Sequence, residues 1–262
     1  MSKTGYLLAV DVGNTQTVAG IYSRDALKRH WRISTHPRKT SDEWALVLSE
    51  LMTLNGGSLD KLDGAIISSV VPEATQALEV MCRRTLQVEP MIVGPETPTG
   101  VKIMNENPSE VGADRIVNAA AAFRFYGGPA IVVDFGTATT FDVISAAGEY
   151  LGGAIAPGIE ISLNALFSNA ARLSEISLET PKRVIGRDTT ESLQSGIVFG
   201  YAGQVDTLVR KISVELGPGL DKIKIIATGG LADTVIKACG TITVHDPLLT
   251  LKGLKLIWDL NS

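Results

Sequence analysis

Cysteine is scarce in this chain, long apolar runs are absent, and neither sign of charge dominates. The two cysteines among the 262 residues, Cys82 and Cys239, lie far apart, with no CxxC or Cys/His cluster around either. That spacing argues against a disulfide framework and a zinc site, and favours a reducing compartment, the cytoplasm. The three histidines, His30, His36 and His245, show no metal-ligand spacing either. No run of 18 apolar residues occurs, so no membrane span is expected. The apolar stretch near the start is cut short by Asp11 and reads as a strand, not a signal peptide. With 24 Lys+Arg against 28 Asp+Glu, the net charge of -4 lacks the basic footprint of a nucleic-acid-binding protein.

What the chain does have is an ordinary globular composition, 45% hydrophobic and 20% charged, with 26 glycines, which excludes a disordered chain. Strand and helix signals alternate, as in an α/β protein. Short apolar runs at Leu7–Val10 and Val18–Tyr22 predict a hairpin, and Ala65–Val71, Met91–Val93 and Ile223–Ala227 predict buried strands. Thr40 followed by Glu43 is a capping box, after which Trp44, Val47, Leu48, Leu51 and Met52 recur at helical spacing. Further helices are expected over residues 73–86, 113–126, 159–170, 189–215 and 231–239.

An internal echo organises the pattern. Residues 7–17, LLAVDVGNTQT, resemble residues 130–140, AIVVDFGTATT: four apolar residues, an Asp, an apolar residue, a Gly and a Thr-rich turn. From Asp11 to Asp134 is 123 positions, close to half the chain. The echo predicts two related halves, residues 1–117 and 118–262, with a cleft between them.

A strand ending in Asp-x-Gly-x-Thr is suited to phosphate chemistry. The strand fixes the Asp at its carboxyl end, where open α/β sheets bind ligands. The Gly, without a Cβ, admits close backbone approach and positive φ. Turn amides then form a nest for phosphate oxygens, and the carboxylate holds a neutralising cation. A third turn, Thr228-Gly229-Gly230, follows Ile223–Ala227 and could approach a nucleoside. Competing motifs are missing: there is no G-x-x-x-x-G-K-[ST] and no G-x-G-x-x-G. Asp134-Phe135-Gly136 spells the DFG of protein kinases, but no H-R-D precedes it.

A second constellation is the stretch 107–115, NPSEVGADR. It places Asp114 near the start of the helix predicted over 113–126, where the dipole favours the ionised form. Such a carboxylate can accept a hydroxyl proton, which suffices where positioning and charge dominate, as in phosphoryl transfer. The neighbouring Arg115 could hold an anionic substrate.

The turns at Asp11–Thr17, Asp134–Thr140 and Thr228–Gly230 resemble the two phosphate motifs and the adenosine motif of the sugar kinase / heat-shock chaperone / actin superfamily. The Gly112-Ala113-Asp114-Arg115 block resembles type III pantothenate kinase. So do the stretches 156–159 (APGI) and 185–189 (IGRDT) and the late 246–254 (DPLLTLKGL). The resemblance spans essentially the whole chain. It implies two ribonuclease H-like (actin-like ATPase) domains, each a mixed sheet flanked by helices, and transfer of the ATP γ-phosphate to pantothenate, the first step of coenzyme A biosynthesis. By the same resemblance Asp11, Val12, Gly13, Asn14, Thr15, Gln16, Thr17, Val18 and Thr137 would bind ATP. Gly112, Ala113, Asp114, Arg115 and Thr189 would bind pantothenate, with Asp114 as the catalytic proton acceptor. Asp134 would hold a monovalent cation, K+ or NH4+, while Mg2+ accompanies the nucleotide, and the protein would be a homodimer.

One departure is Asn105, where the family often has Tyr seven residues before the block; either a neighbour such as Met104 supplies the apolar surface or pantothenate is bound more weakly. The alternatives are a related small-molecule kinase, or a nucleotide-binding regulator that has lost catalysis. The regulator is disfavoured by the presence of Asp11, Asp114 and Asp134.

Overall fold

A computed structural model describes residues 5–54, 56–170, 176–217 and 219–262. The chain divides into two compact units, one gathering the described residues up to Ala121 together with Thr250–Ser262, the other spanning Ala122–Leu249.

The first unit is built on β1 (Tyr6–Val12), β2 (Gln16–Ser23), β3 (Ala26–Ser34), β4 (Leu62–Ser69) and β5 (Met91–Ile92), ordered β3-β2-β1-β4-β5. The first three are antiparallel neighbours, whereas β4 and β5 run parallel to β1. Leu8, Val10 and Val12 alternate onto one face and bury against α1 (Ser41–Thr53) through Trp44, Leu48 and Met52, and against α2 (Pro72–Met81) through Ala74, Leu78 and Met81. The capping box on α1 is formed, with Glu43 N donating to Thr40 Oγ1 and Thr40 N to Glu43 Oε2. Trp44 is fully buried core. The helix expected over 73–86 ends sooner as an α-helix, because residues 82–86 widen into a π-type turn closed by Gln87 at φ 56. β6 (Lys102–Ile103) and a single turn at Pro108–Glu110 lead into α3 (Ala113–Tyr126).

The second unit repeats the plan. Its strands β7 (Ala130–Phe135), β8 (Ala138–Ile144), β9 (Glu149–Pro157), β10 (Lys224–Thr228) and β11 (Val244–His245) are ordered β9-β8-β7-β10-β11. The β7–β8–β9 pairs are antiparallel and β10 and β11 are parallel to β7, matching the first sheet strand for strand. The echo in the sequence is therefore an echo in topology. α4 (Ile159–Asn169) and α5 (Thr189–Leu216) pack on this sheet through Ile159, Leu163, Ala202, Val205 and Val209. The helix expected over 231–239 is broken into α6 (Ala232–Val235) and a tighter turn at Ile236–Ala238.

Two elements escaped the sequence reading. β3 is an edge strand whose Lys28, Arg29 and Arg32 dilute its apolar alternation, as edge strands do. α7 (Leu249–Asn261) returns to the first unit, which departs from the expected 1–117 and 118–262 division. It approaches through glycines. A Cβ at Gly64 would stand 2.5 Å from the Trp258 ring, and one at Gly253 2.4 Å from the Val117 carbonyl of α3. Asp246 prepares the turn into α7, its carboxylate accepting from Leu248 N at 3.1 Å and from the Tyr126 hydroxyl at 2.7 Å. Burial pushes the Cys82 and Cys239 thiols up to about 12, so neither is a reactive thiolate. No described helix is long and apolar enough to cross a membrane.

The α7 contact makes a stability prediction. Gly→Ala inside a helix ordinarily gains about 1 kcal/mol. Gly253→Ala instead pushes a methyl into a backbone carbonyl that cannot yield cheaply, so it should lose about 1–3 kcal/mol in denaturant unfolding. A gain would show that α7 does not seat on α3 in this way.

Candidate active site

In the first unit, β1 delivers Asp11, half-buried, to the carboxyl end of the sheet. The hairpin turn after it is closed by Gly13 N donating to Gln16 O at 3.0 Å. A Cβ at Gly13 would sit 3.0 Å from that same oxygen, so the turn is tight. Asn14, Thr15 and Gln16 are exposed at its tip, while Thr17 is buried with its hydroxyl 2.8 Å from that of Thr35. Thr35 N also donates to Thr15 O at 2.9 Å, which fixes the tip from the end of β3. Val18 returns opposite Asp11.

Asp114 belongs to the same end of the same sheet. Val70, just past β4, donates its N–H to Val12 O at 3.1 Å. Its Cγ1 would be 3.5 Å from a Cβ at Gly112, and Asp114 Oδ1 would be 2.5 Å away. Gly112 is thus the position where the carboxylate folds back over the backbone, and any side chain there would displace it. The carboxyl accepts from Arg115 N at 2.9 Å. Its pKa is raised: burial outweighs the lowering by the Arg115 N–H and guanidinium charge. The helix position alone would lower this pKa, and burial reverses the direction. The dipole acts at a solvated helix end, and here the apolar surroundings prevail. A raised carboxyl is a stronger base once ionised.

Ser68 was not singled out from the sequence. It pairs in register with Asp11 on the face opposite the α1–α2 core, and its fully buried hydroxyl has no hydrogen-bond partner among the described residues. The interruption of an apolar strand by a serine pair was its only signal. An open groove of about 660 Å³ runs from Ser69 and Val70 along the first turns of α2 to Glu73 and Gln76. Asn105 is half-buried with its amide oxygen unpartnered among the described residues, and Met104 stays 47% exposed.

In the second unit, β7 ends at Asp134 and Phe135, and Gly136 N donates to Ala138 O at 3.0 Å to close the equivalent turn. Gly13 and Gly136 do not take up positive φ; it is space they provide. Thr228 pairs with Asp134 across the parallel strands, which brings the third glycine turn to the second. Gly229 has φ 95, and a Cβ there would lie 2.5 Å from Asp134 Oδ1 and 2.6 Å from Phe135 N. Gly158, at the end of β9, donates its N–H to Thr137 O at 3.1 Å, and its own Cβ would be 2.2 Å from that oxygen. Three turns from distant parts of the chain therefore meet at one end of this sheet.

No group of three His, Cys, Asp or Glu among the described residues could hold a metal ion. A half-buried carboxylate is a hard oxygen donor, of the kind that suits a hard cation rather than a soft-ligand transition metal. Thr189 stands at the exposed first position of α5, one residue after Asp188, whose carboxylate caps the helix by accepting from Glu191 N at 2.8 Å. No described hydrogen bond ties it to the Asp134 turn.

Comparison with known proteins agrees with this arrangement. Residues 7–211 match the family model described as type III pantothenate kinase. The chain is 51% identical over 260 residues to the type III pantothenate kinase of Streptomyces avermitilis, covering 97% of this chain and 98% of the relative. It is 49% identical over 257 residues to that of Thermobifida fusca, covering 98% and 100%. Among solved structures, a Baf family protein from Campylobacter jejuni superposes with a TM-score of 0.60 at 20% identity, over 97% of this chain and 98% of that one. Component A of the Acidaminococcus fermentans (R)-2-hydroxyglutaryl-CoA dehydratase gives 0.56 at 14%, over 96% and 95%. These distant likenesses concern the fold, which is the two-sheet ribonuclease H-like architecture of actin-like ATPases and sugar kinases. From the family match and the full-length relatives, the chain belongs to the type III pantothenate kinase family.

Proposed function

We propose that this protein transfers the γ-phosphate of ATP to the hydroxyl of pantothenate, giving 4'-phosphopantothenate and ADP at the first step of coenzyme A biosynthesis. The observation that carries this is the Asp114 carboxylate folded over Gly112, which Val70 also approaches, at the sheet end where β1 delivers the Asp11 turn. The Asp11–Val18 turn and Thr137 contact the ATP phosphates through backbone N–H and hydroxyl donors. Gly112–Arg115 and Thr189 hold pantothenate, with Arg115 facing its carboxylate. The groove beginning at Val70 offers the acceptor a seat. The pantothenate hydroxyl oxygen forms its bond to the γ-phosphorus as the bond to the β–γ bridging oxygen breaks, and the hydroxyl proton passes to Asp114. Asp134 and the backbone oxygens beside it suit K+ or NH4+, and Mg2+ would accompany ATP; both supply positive charge against the phosphates.

The homodimer is supported by α5. Gly196, Gly200 and Gly203 lie exposed along it at helical spacing, and a Cβ at any of them would meet nothing among the described residues. Each costs about 1 kcal/mol relative to Ala in a helix interior. Close approach of a second copy would account for them. Two free thiols at Cys82 and Cys239 fit a cytoplasmic setting.

Asp114→Asn should lower turnover about 10²–10⁴-fold, the usual worth of a general base, while MgATP binding measured by calorimetry persists. The same variant should be more stable at neutral pH. The folded carboxyl titrates above its unfolded value, so stability is lost as pH rises from the ordinary carboxylate range through the raised value. Asn carries no such cost, and its advantage should shrink on acidification. Retained turnover would remove Asp114 from the chemistry.

Asp134→Ala should abolish the stimulation of ADP formation by potassium; stimulation that survives would refute the cation assignment. In light scattering the wild type should be a dimer and Gly200→Gln a folded monomer. A dimeric variant would place the interface elsewhere.

A further inference from the structure

Tyr201 lies on α5, outside every motif of the sequence, yet its hydroxyl sits where three groups converge. It is 3.1 Å from Pro157 O, 3.0 Å from Gly158 O and 2.6 Å from Ser162 Oγ. A phenol has one hydrogen to give. The Ser162 hydroxyl therefore donates to the phenolic oxygen, and the phenolic hydrogen is shared between the two carbonyls.

Those carbonyls flank the residue that presses on the second phosphate turn. Gly158 N donates to Thr137 O, and the position is so close that a Cβ would meet Thr137 O at 2.2 Å and Gly136 O at 2.5 Å. Gly158 is the N-cap of α4 and has no side chain with which to fix itself. Its placement is set by its N–H on Thr137 O, by the Ser162 N–H and the Tyr201 hydroxyl on its own carbonyl, and by the pairing of Pro157 with Ala138.

We infer that Tyr201 is a positioning residue for nucleotide binding, acting through Gly158 on the Gly136–Thr137 backbone. This rests on the reading of Asp134–Thr140 as a phosphate-binding turn. Without the phenolic hydroxyl the Pro157 and Gly158 carbonyls each lose one partner, while Gly158 O keeps Ser162 N at 3.1 Å and Pro157 its pairing with Ala138, so the wall of the Gly136–Thr137 backbone is held less firmly. Backbone donors then meet the phosphates out of alignment, and binding of the nucleotide suffers before binding of the acceptor does. A tyrosine that merely ties α5 to α4 would affect stability alone, or both substrates alike.

The test compares wild type, Tyr201→Phe, Ser162→Ala and Thr137→Ala in the intact protein. Calorimetry with MgADP, steady-state KM for MgATP and for pantothenate, and thermal unfolding are measured on each. Tyr201→Phe should weaken MgADP binding and raise the MgATP KM about tenfold, the scale of one or two lost hydrogen bonds. The pantothenate KM should stay within about twofold and the protein should remain folded. Ser162→Ala leaves the phenol its two carbonyls, and its effect should be smaller, within about threefold, in the same direction. Unchanged MgADP affinity in Tyr201→Phe, with weakened affinity in Thr137→Ala, would overturn the role of Tyr201 and leave the turn's assignment standing. Unchanged affinity in both would overturn the two together. Equal losses for both substrates with a lowered melting temperature would make Tyr201 a packing residue and overturn the proposal.

Discussion

The parallel pairing of β7 with β10 sets Thr228 opposite Asp134, and everything at that end of the second sheet depends on how closely the following backbone can approach. A side chain at Gly229 would collide with the Asp134 carboxylate, and one at Gly158 with the Thr137 carbonyl. These are contacts with backbone or with a short carboxylate, which cannot move aside as the tip of a long side chain can. The glycines are therefore conditions for the turns to coexist. Positive φ is required only at Gly229 among the three turn glycines Gly136, Gly158 and Gly229. Space, rather than conformational freedom, is what most of them supply.

The first unit shows the opposite solution. A valine, Val70, follows β4 where Gly229 follows β10, each strand being the parallel neighbour of its unit's first strand. Val70 reaches Gly112, over which the Asp114 carboxylate folds. Burial raises the carboxyl, which favours its neutral form in the folded protein and costs stability when it is ionised. Arg115, through its N–H and its charge, offsets part of that cost.

Much of this was legible in the sequence, for identifiable reasons. The two turns were visible because four apolar residues ending in Asp-x-Gly recur 123 positions apart, and buried strands carry a continuous apolar signal. The capping box of α1 was visible because it is local. β3 was hidden by its basic edge residues, and the break of α2 at Cys82 by the lack of any Pro or Gly there. The direction in which the Asp114 pKa moves was not legible because position on a helix is local information and burial is not. Tyr201 and Ser68 lay beyond reach for the same reason: their meaning comes from partners 39 to 57 residues away.

That locality also explains how one ancestral plan can carry two chemistries. Strand order, register and the Asp-x-Gly hairpin are shared by both sheets, so the shared part fixes only where a ligand can be met, at the carboxyl ends of the central strands. The residues that follow the parallel partner strand then decide the local medium. Ser69-Val70-Val71 brings side chains, half-buried at Ser69 and Val70, that line an open groove. Gly229-Gly230 brings bare backbone, suited to close contact with a polar ligand and to leaving a carboxylate half-solvated. The shared plan thus lets the residues after the parallel partner strand differ between the two units without disturbing a strand.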